Sequence, residues 1–143
     1  MTRQVRLRII VRDPLGGVEL RLQRGRDELV PPVARSASAA IFEFALDTRT
    51  QPDGGTALRG PEMQGKPGAR FVYINSGTYA GQSDSPWGRR AKVSLTGVSE
   101  ELIASALARP GSVIQATIDG RGRDGGPAAA TIPLLDGGWH VVG

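Results

Sequence analysis

The chain contains no cysteine, a single histidine (His140), and only two lysines, Lys66 and Lys92. Without thiols there is no disulfide, thiolate nucleophile, iron–sulfur cluster or cysteine-type zinc site to consider. One imidazole rules out two-histidine metal motifs and leaves one candidate base of that kind. Aromatic residues make up only 5% of the chain, few for a protein that stacks successive bases. No apolar run approaches the ~18 residues of a membrane-spanning helix. In residues 1–11, Arg6 and Arg8 interrupt the apolar stretch before it reaches the ~7 to 15 residues of a signal-peptide core. The expectation is a cytoplasmic chain without membrane contact.

What is present suits one globular domain over residues 1–143. That length buries about 70% of the unfolded surface, and 39% hydrophobic with 22% charged residues is ordinary globular composition. Glycine and proline are plentiful, 20 and 10 residues. The formal charge is +4, with 18 basic against 14 acidic side chains. The acids are interleaved with the arginines, whereas nucleic-acid domains gather their cations on one surface. A preference for arginine over lysine also follows from a GC-rich coding bias, so basicity alone decides little.

Alternation at a period of two is the dominant pattern. Val5, Leu7, Ile9 and Val11 share one side of a strand, and Val18, Leu20 and Leu22 one side of the next. The short Pro/Gly turn between them predicts an antiparallel hairpin whose wet face carries Arg6, Arg8, Arg12, Glu19 and Arg21. A third strand has Ala40, Phe42, Phe44 and Leu46 on one side. Residues 70–75 are apolar on both sides, which predicts a central strand covered on both faces. Ala91, Val93 and Leu95 mark another strand. Residues 113–119 and 129–133 predict a second hairpin, and residues 139–142 a short closing strand.

Residues 99–109 differ. Leu102, Ile103, Ala106 and Leu107 recur at helical spacing, Ser99 suits the N-cap, and Glu100 and Glu101 sit where the helix dipole favours acids. Val98 and Ile103 match a hydrophobic staple, and Pro110-Gly111 marks the stop. The expected fold is therefore mainly β, a β-sandwich or partly open β-barrel of about seven or eight mostly antiparallel strands, with one α-helix near 99–109. Two long segments stand out, 24–37 and 48–69. The second reads as a structureless flap, and loops of that length tend to be functional.

Four constellations bear on the chemistry. Gly120-Arg121-Gly122-Arg123-Asp124-Gly125 matches G-x-G-x-x-G, but a dinucleotide site needs a helix after it and here a strand pattern follows. A glycine turn with Arg121 and Arg123 at an anion-binding tip is the better reading. Residues 75–90 concentrate Asn75, Ser76, Thr78, Tyr79, Gln82, Asp84, Trp87, Arg89 and Arg90 between two strands, a supply of hydrogen-bonding groups and amphipathic rings suited to a ligand pocket or partner surface. A Ser-His-Asp triad through His140 has no nucleophile elbow to support it. The carboxylates Glu43 and Asp47 lie four residues apart on one strand face, which supplies no glycosidase-like pairing. No metal-ligand motif and no cofactor motif is present.

The wording at Gly60-Pro61, Gln64-Gly65, residues 70–74, Ser76-Gly77-Thr78, Ala80-Gly81-Gln82, Asp84-Ser85, Trp87, Arg89-Arg90 and Lys92 resembles a bacterial domain-of-unknown-function family, and the likeness continues through 120–127 and 133–142. The resemblance implies an independently folding bacterial domain and brings no catalytic residues.

The leading expectation is a non-enzymatic module binding a small anionic ligand or a partner, with Arg70, Tyr73 and the 75–90 loop lining the site and Arg70, Arg89, Arg121 and Arg123 as its charge partners. A small enzyme using Tyr73, Asp84 or His140 as acid or base is the alternative. Nucleic-acid binding ranks last. A second copy of the chain, paired through an open sheet edge, is a further candidate partner.

Overall fold

In the computed structural model, residues 3–14, 19–24, 28–50, 52–58, 71–77, 89–120 and 132–143 are described. They form ten strands and one helix: β1 (Gln4–Arg12), β2 (Glu19–Arg24), β3 (Glu28–Val30), β4 (Ala34–Arg35), β5 (Ala39–Thr50), β6 (Thr56–Leu58), β7 (Phe71–Gly77), β8 (Arg89–Ser94), α1 (Glu100–Ala108), β9 (Val113–Asp119) and β10 (Leu135–Val142). The larger sheet runs β10-β9-β1-β5-β4 with β6 paired to β5, and the smaller runs β3-β2-β7-β8. The fold is mainly β, as its alternation predicts. The strand count exceeds seven or eight because three pieces of two or three residues, β3, β4 and β6, lie inside the segments that read as loops.

Alternation does locate the core. Val5, Leu7, Ile9 and Val11 of β1, Phe42 and Phe44 of β5, and Ile114, Ala116 and Ile118 of β9 are buried on one side of the larger sheet. They share a hydrophobic cluster with Leu20, Leu22, Val72, Ile74 and Val93 of the smaller one. The two sheets therefore pack face to face. At one edge they are stitched together by β10 and the chain leading into it: Ile132 N donates to Lys92 O at 2.9 Å and Trp139 Nε1 to Ser94 O at 3.0 Å.

The expected hairpin of β1 and β2 does not form. Both edges of β1 are already occupied, by β5 in antiparallel and β9 in parallel register, so the chain crosses to the other sheet, where β2 pairs with β3 and β7. The two strands still share a core, because a crossover and a hairpin bury the same alternate residues. The charges assigned to one wet face are consequently divided. Arg6, Arg8 and Arg12 lie on the outer side of the larger sheet, and Arg21 lies on the outer side of the smaller.

The second expected hairpin is also corrected: β9 pairs antiparallel with β10 rather than with 129–133, and residues 129–131 lie outside the described residues. β7 is central in its sheet, between β2 and β8. Only Val72 and Ile74 are buried, however, while Phe71 and Tyr73 on the outer face are half-buried, and Lys92 Nζ stands 3.9 Å from the Phe71 ring centroid. The segment read as a 48–69 flap begins as a hairpin. Thr48, Arg49 and Thr50 pair with Leu58, Ala57 and Thr56, and Asp53 Oδ1 accepts from Gly55 N at 2.9 Å in the turn. Residues 59–69 lie outside the described residues.

Helix α1 forms as its signals dictate. Ser99 caps it, its Oγ accepting from Leu102 N at 3.2 Å, and Val98 and Ile103 are both buried. It closes the end of the sandwich where β1 begins: Arg3 Nη2 donates to Leu107 O at 3.5 Å.

Candidate functional site

The other end of the sandwich is where β1 finishes. Arg12 is its hub. Gly120 N donates to Arg12 O at 2.6 Å and Asp13 N to Ser38 O at 2.8 Å. The Arg12 guanidinium reaches Asp136 Oδ2 at 2.7 Å. The start of the 121–131 connection and the early part of β10 are thus both tied to one residue. The 15–18 connection leaves from the same place and delivers Glu19, which pairs with Gly77, while Ser76 pairs with Arg89. Both anchors of the 78–88 connection therefore stand at this rim.

Gly120 has a steric reason to be glycine. A Cβ there would lie 2.7 Å from Val11 Cγ1 and 2.8 Å from both Arg12 O and Pro14 Cα. Gly120→Ala should therefore lower stability by about 1–3 kcal/mol, read as a reduced urea midpoint at unchanged slope. An unchanged midpoint would show that the rim does not need this close approach.

Of the residues singled out by sequence, Asn75, Ser76 and Arg89 lie at the rim by their backbone positions in β7 and β8. Thr78, Tyr79, Gln82, Asp84, Trp87, Arg121 and Arg123 lie outside the described residues, as does Arg70. Phe71, which follows Arg70, is at the opposite end of β7 from Gly77, ~20 Å along the strand. Tyr73 pairs with Gln23 and Lys92 in mid-strand. It belongs to the outer face of the smaller sheet, on the side away from buried Val72 and Ile74. His140 is in register with Gln115 on the outer face of the larger sheet. The two sit on opposite surfaces of the sandwich, separated by both sheets, so they do not form a joint acid and base.

Glu43 and Asp47 are engaged elsewhere. Glu43 Oε1 lies 3.5 Å from Arg6 Nη2 and 3.4 Å from Arg8 Nη2, and Asp47 Oδ1 accepts from Gln4 Nε2 at 2.9 Å. Arg8 also donates through Nη1 to Gln115 Oε1 at 3.0 Å. The registers place Glu43, Arg8, Gln115 and His140 side by side across β5, β1, β9 and β10. Sequence inspection missed this row. Alternation marks each member as outward, but only the pairing register makes them neighbours. Among the described residues, no group of three or more His, Asp or Glu side chains is placed to hold a metal ion, and no helix is long and apolar enough to cross a membrane.

The family described as "Family of unknown function (DUF5990)" matches residues 5–142. The chain belongs to the DUF5990 family. The DUF5990 match runs from the second residue of β1 to the last of β10, so it takes in both sheets, the helix and the rim. No curated protein and no solved structure matches the chain.

Proposed function

We propose that this DUF5990 chain is a non-enzymatic bacterial cytoplasmic module that binds an anionic small ligand or partner at the rim. The observation that supports this reading is that described residues flanking the two segments richest in polar, aromatic and arginine side chains, Gly77 and Arg89 for one and Gly120 for the other, lie at the same end of the sandwich as Arg12. Arg89, Arg121 and Arg123 supply guanidinium groups, whose planar forks suit carboxylate and phosphate. Tyr79 and Trp87 supply contact area with a polar tip. The opposed positions of Tyr73 and His140 weigh against the acid–base enzyme.

A thermal-shift screen of phosphorylated and carboxylated metabolites tests the proposal. A ligand present at ten times its Kd adds about 1.4 kcal/mol and should raise the Tm by about 3–6 °C. The double variant Arg89→Gln, Arg121→Gln should abolish the rise while leaving the far-ultraviolet circular dichroism unchanged. No stabiliser at ~10 mM, about ten times a millimolar Kd, would overturn it.

A further inference from the structure

We infer that the outer face of the larger sheet carries a separate site for hydrogenphosphate, held between Gln115 and His140 and balanced by the surplus charge of Arg6 and Arg8.

The charge argument comes first. Arg6 and Arg8 both direct a guanidinium nitrogen at the same oxygen of Glu43, at 3.5 and 3.4 Å. Two positive charges meet one negative, and the Arg8 side chain is only 29% exposed, so its field is less screened than that of a free surface arginine. Asp119 and Asp136 lie with Arg12, beyond the intervening row of Ile10, Thr117 and Leu135.

Hydrogen bonding then sets what the ligand must offer. Arg8 Nη1 donates to Gln115 Oε1 at 3.0 Å, which fixes the orientation of that amide, since a guanidinium has no acceptor for the NH2 end. The Gln115 amide nitrogen makes no hydrogen bond among the described residues and is left as a donor. His140 stands directly opposite, and its Nδ1 lies 3.0 Å from Gly138 O. A carbonyl oxygen only accepts, so Nδ1 carries a proton, and in the neutral imidazole Nε2 then presents a lone pair. One position along the same face of β9, Thr117 is only 5% exposed, and its hydroxyl has no partner among the described residues. A buried unpaired hydroxyl is uncommon and calls for a partner.

The site thus combines donors, one acceptor and a surplus positive charge on side chains spaced by the sheet at ~4.8 Å per strand. Hydrogenphosphate meets all three demands at neutral pH: its anionic oxygens accept from Gln115 and Thr117, and its O–H donates to His140 Nε2. Sulfate has the same shape and charge but no proton to give, and a carboxylate lacks one as well. That difference makes the inference specific.

The test is a titration of the full-length, isotope-labelled chain with inorganic phosphate, and in parallel with sulfate at matched ionic strength, followed by nuclear magnetic resonance. Saturable shifts at the Gln115 side-chain amide and the His140 imidazole are expected, with phosphate bound about five-fold tighter than sulfate, the value of one net hydrogen bond. Thr117→Val should weaken phosphate binding several-fold without lowering the Tm, because the hydroxyl has no partner among the described residues. The rim variant Arg89→Gln, Arg121→Gln should leave phosphate binding here intact, which separates this site from the rim. Equal affinity for the two anions would overturn the inference. Absence of saturation, a loss of stability in Thr117→Val, or loss of phosphate binding in the rim variant would do the same.

Discussion

Phe42→Ala is expected to lower the free energy of unfolding by about 3–5 kcal/mol, a large part of the 5–15 kcal/mol typical of a domain. Phe42 is fully buried in the middle of β5. It pairs with Ile9 of β1, which in turn pairs with Ala116 of β9. A ring, a branched side chain and a methyl group thus lie side by side under the second sheet. Deleting the ring leaves a void that the sheets cannot close, because β5 is held by ladders to β1, β4 and β6. Ile41→Ala, one residue away on the outer, half-buried side, should cost clearly less. Urea unfolding of both variants checks this, with the midpoint falling and the slope preserved. A similar loss in the two would mean that the inner face of β5 is not the center of the core.

Trp139→Ala should cost a comparable amount, about 3–5 kcal/mol, for a different combination of reasons. Its indole is buried and packs close to Gly97, where a Cβ would come within 3.2 Å of the Trp139 Cδ1. The same ring donates from Nε1 to Ser94 O, on the edge of β8, and so joins the two sheets. Trp139→Phe keeps most of the apolar area and loses the bond, so its cost should be nearer 1 kcal/mol. Urea unfolding followed by far-ultraviolet circular dichroism reads both variants, since neither keeps the Trp139 indole as a fluorophore. If the phenylalanine variant is as damaged as the alanine one, the hydrogen bond dominates over packing. That outcome would contradict the assignment of Trp139 to the core.

These expectations depend on features that the sequence reveals unequally. Val98, Ser99, Glu100 and Ile103 all act within one turn of each other, so cap, dipole and staple are readable together, and α1 forms where they predict. The inward sides of β1, β5 and β8 follow from alternation alone. Pairing is another matter. Leu20 and Leu22 alternate as they would in a hairpin with β1, yet β2 lies in the opposite sheet. The 48–69 segment is full of glycine and proline, yet Thr56 and Leu58 return along β5, because a single turn at Asp53–Gly55 is enough to reverse the chain. For the candidate site, residues 75–90 and 121–123 are conspicuous by composition. What composition does not reveal is that described residues flanking them lie at the same end of the sandwich as Arg12, or that Phe71, the neighbour of Arg70 in sequence, starts β7 at the other end.

By itself the sequence determined the mainly-β character, the single helix with its ends, the side each strand residue faces, and the chemistries ruled out by missing cysteine and a lone histidine. Only the tertiary structure decided which strands are neighbours, and with that the division of the arginines between two surfaces, the rim around Arg12, and the row from Glu43 to His140. The physical reason is range. Capping and alternation are set by residues a few positions apart, whereas strand pairing depends on which hydrogen-bonding edges are free and which packing closes the core, and residues more than a hundred positions apart, such as Arg8 and Gln115, take part in that choice.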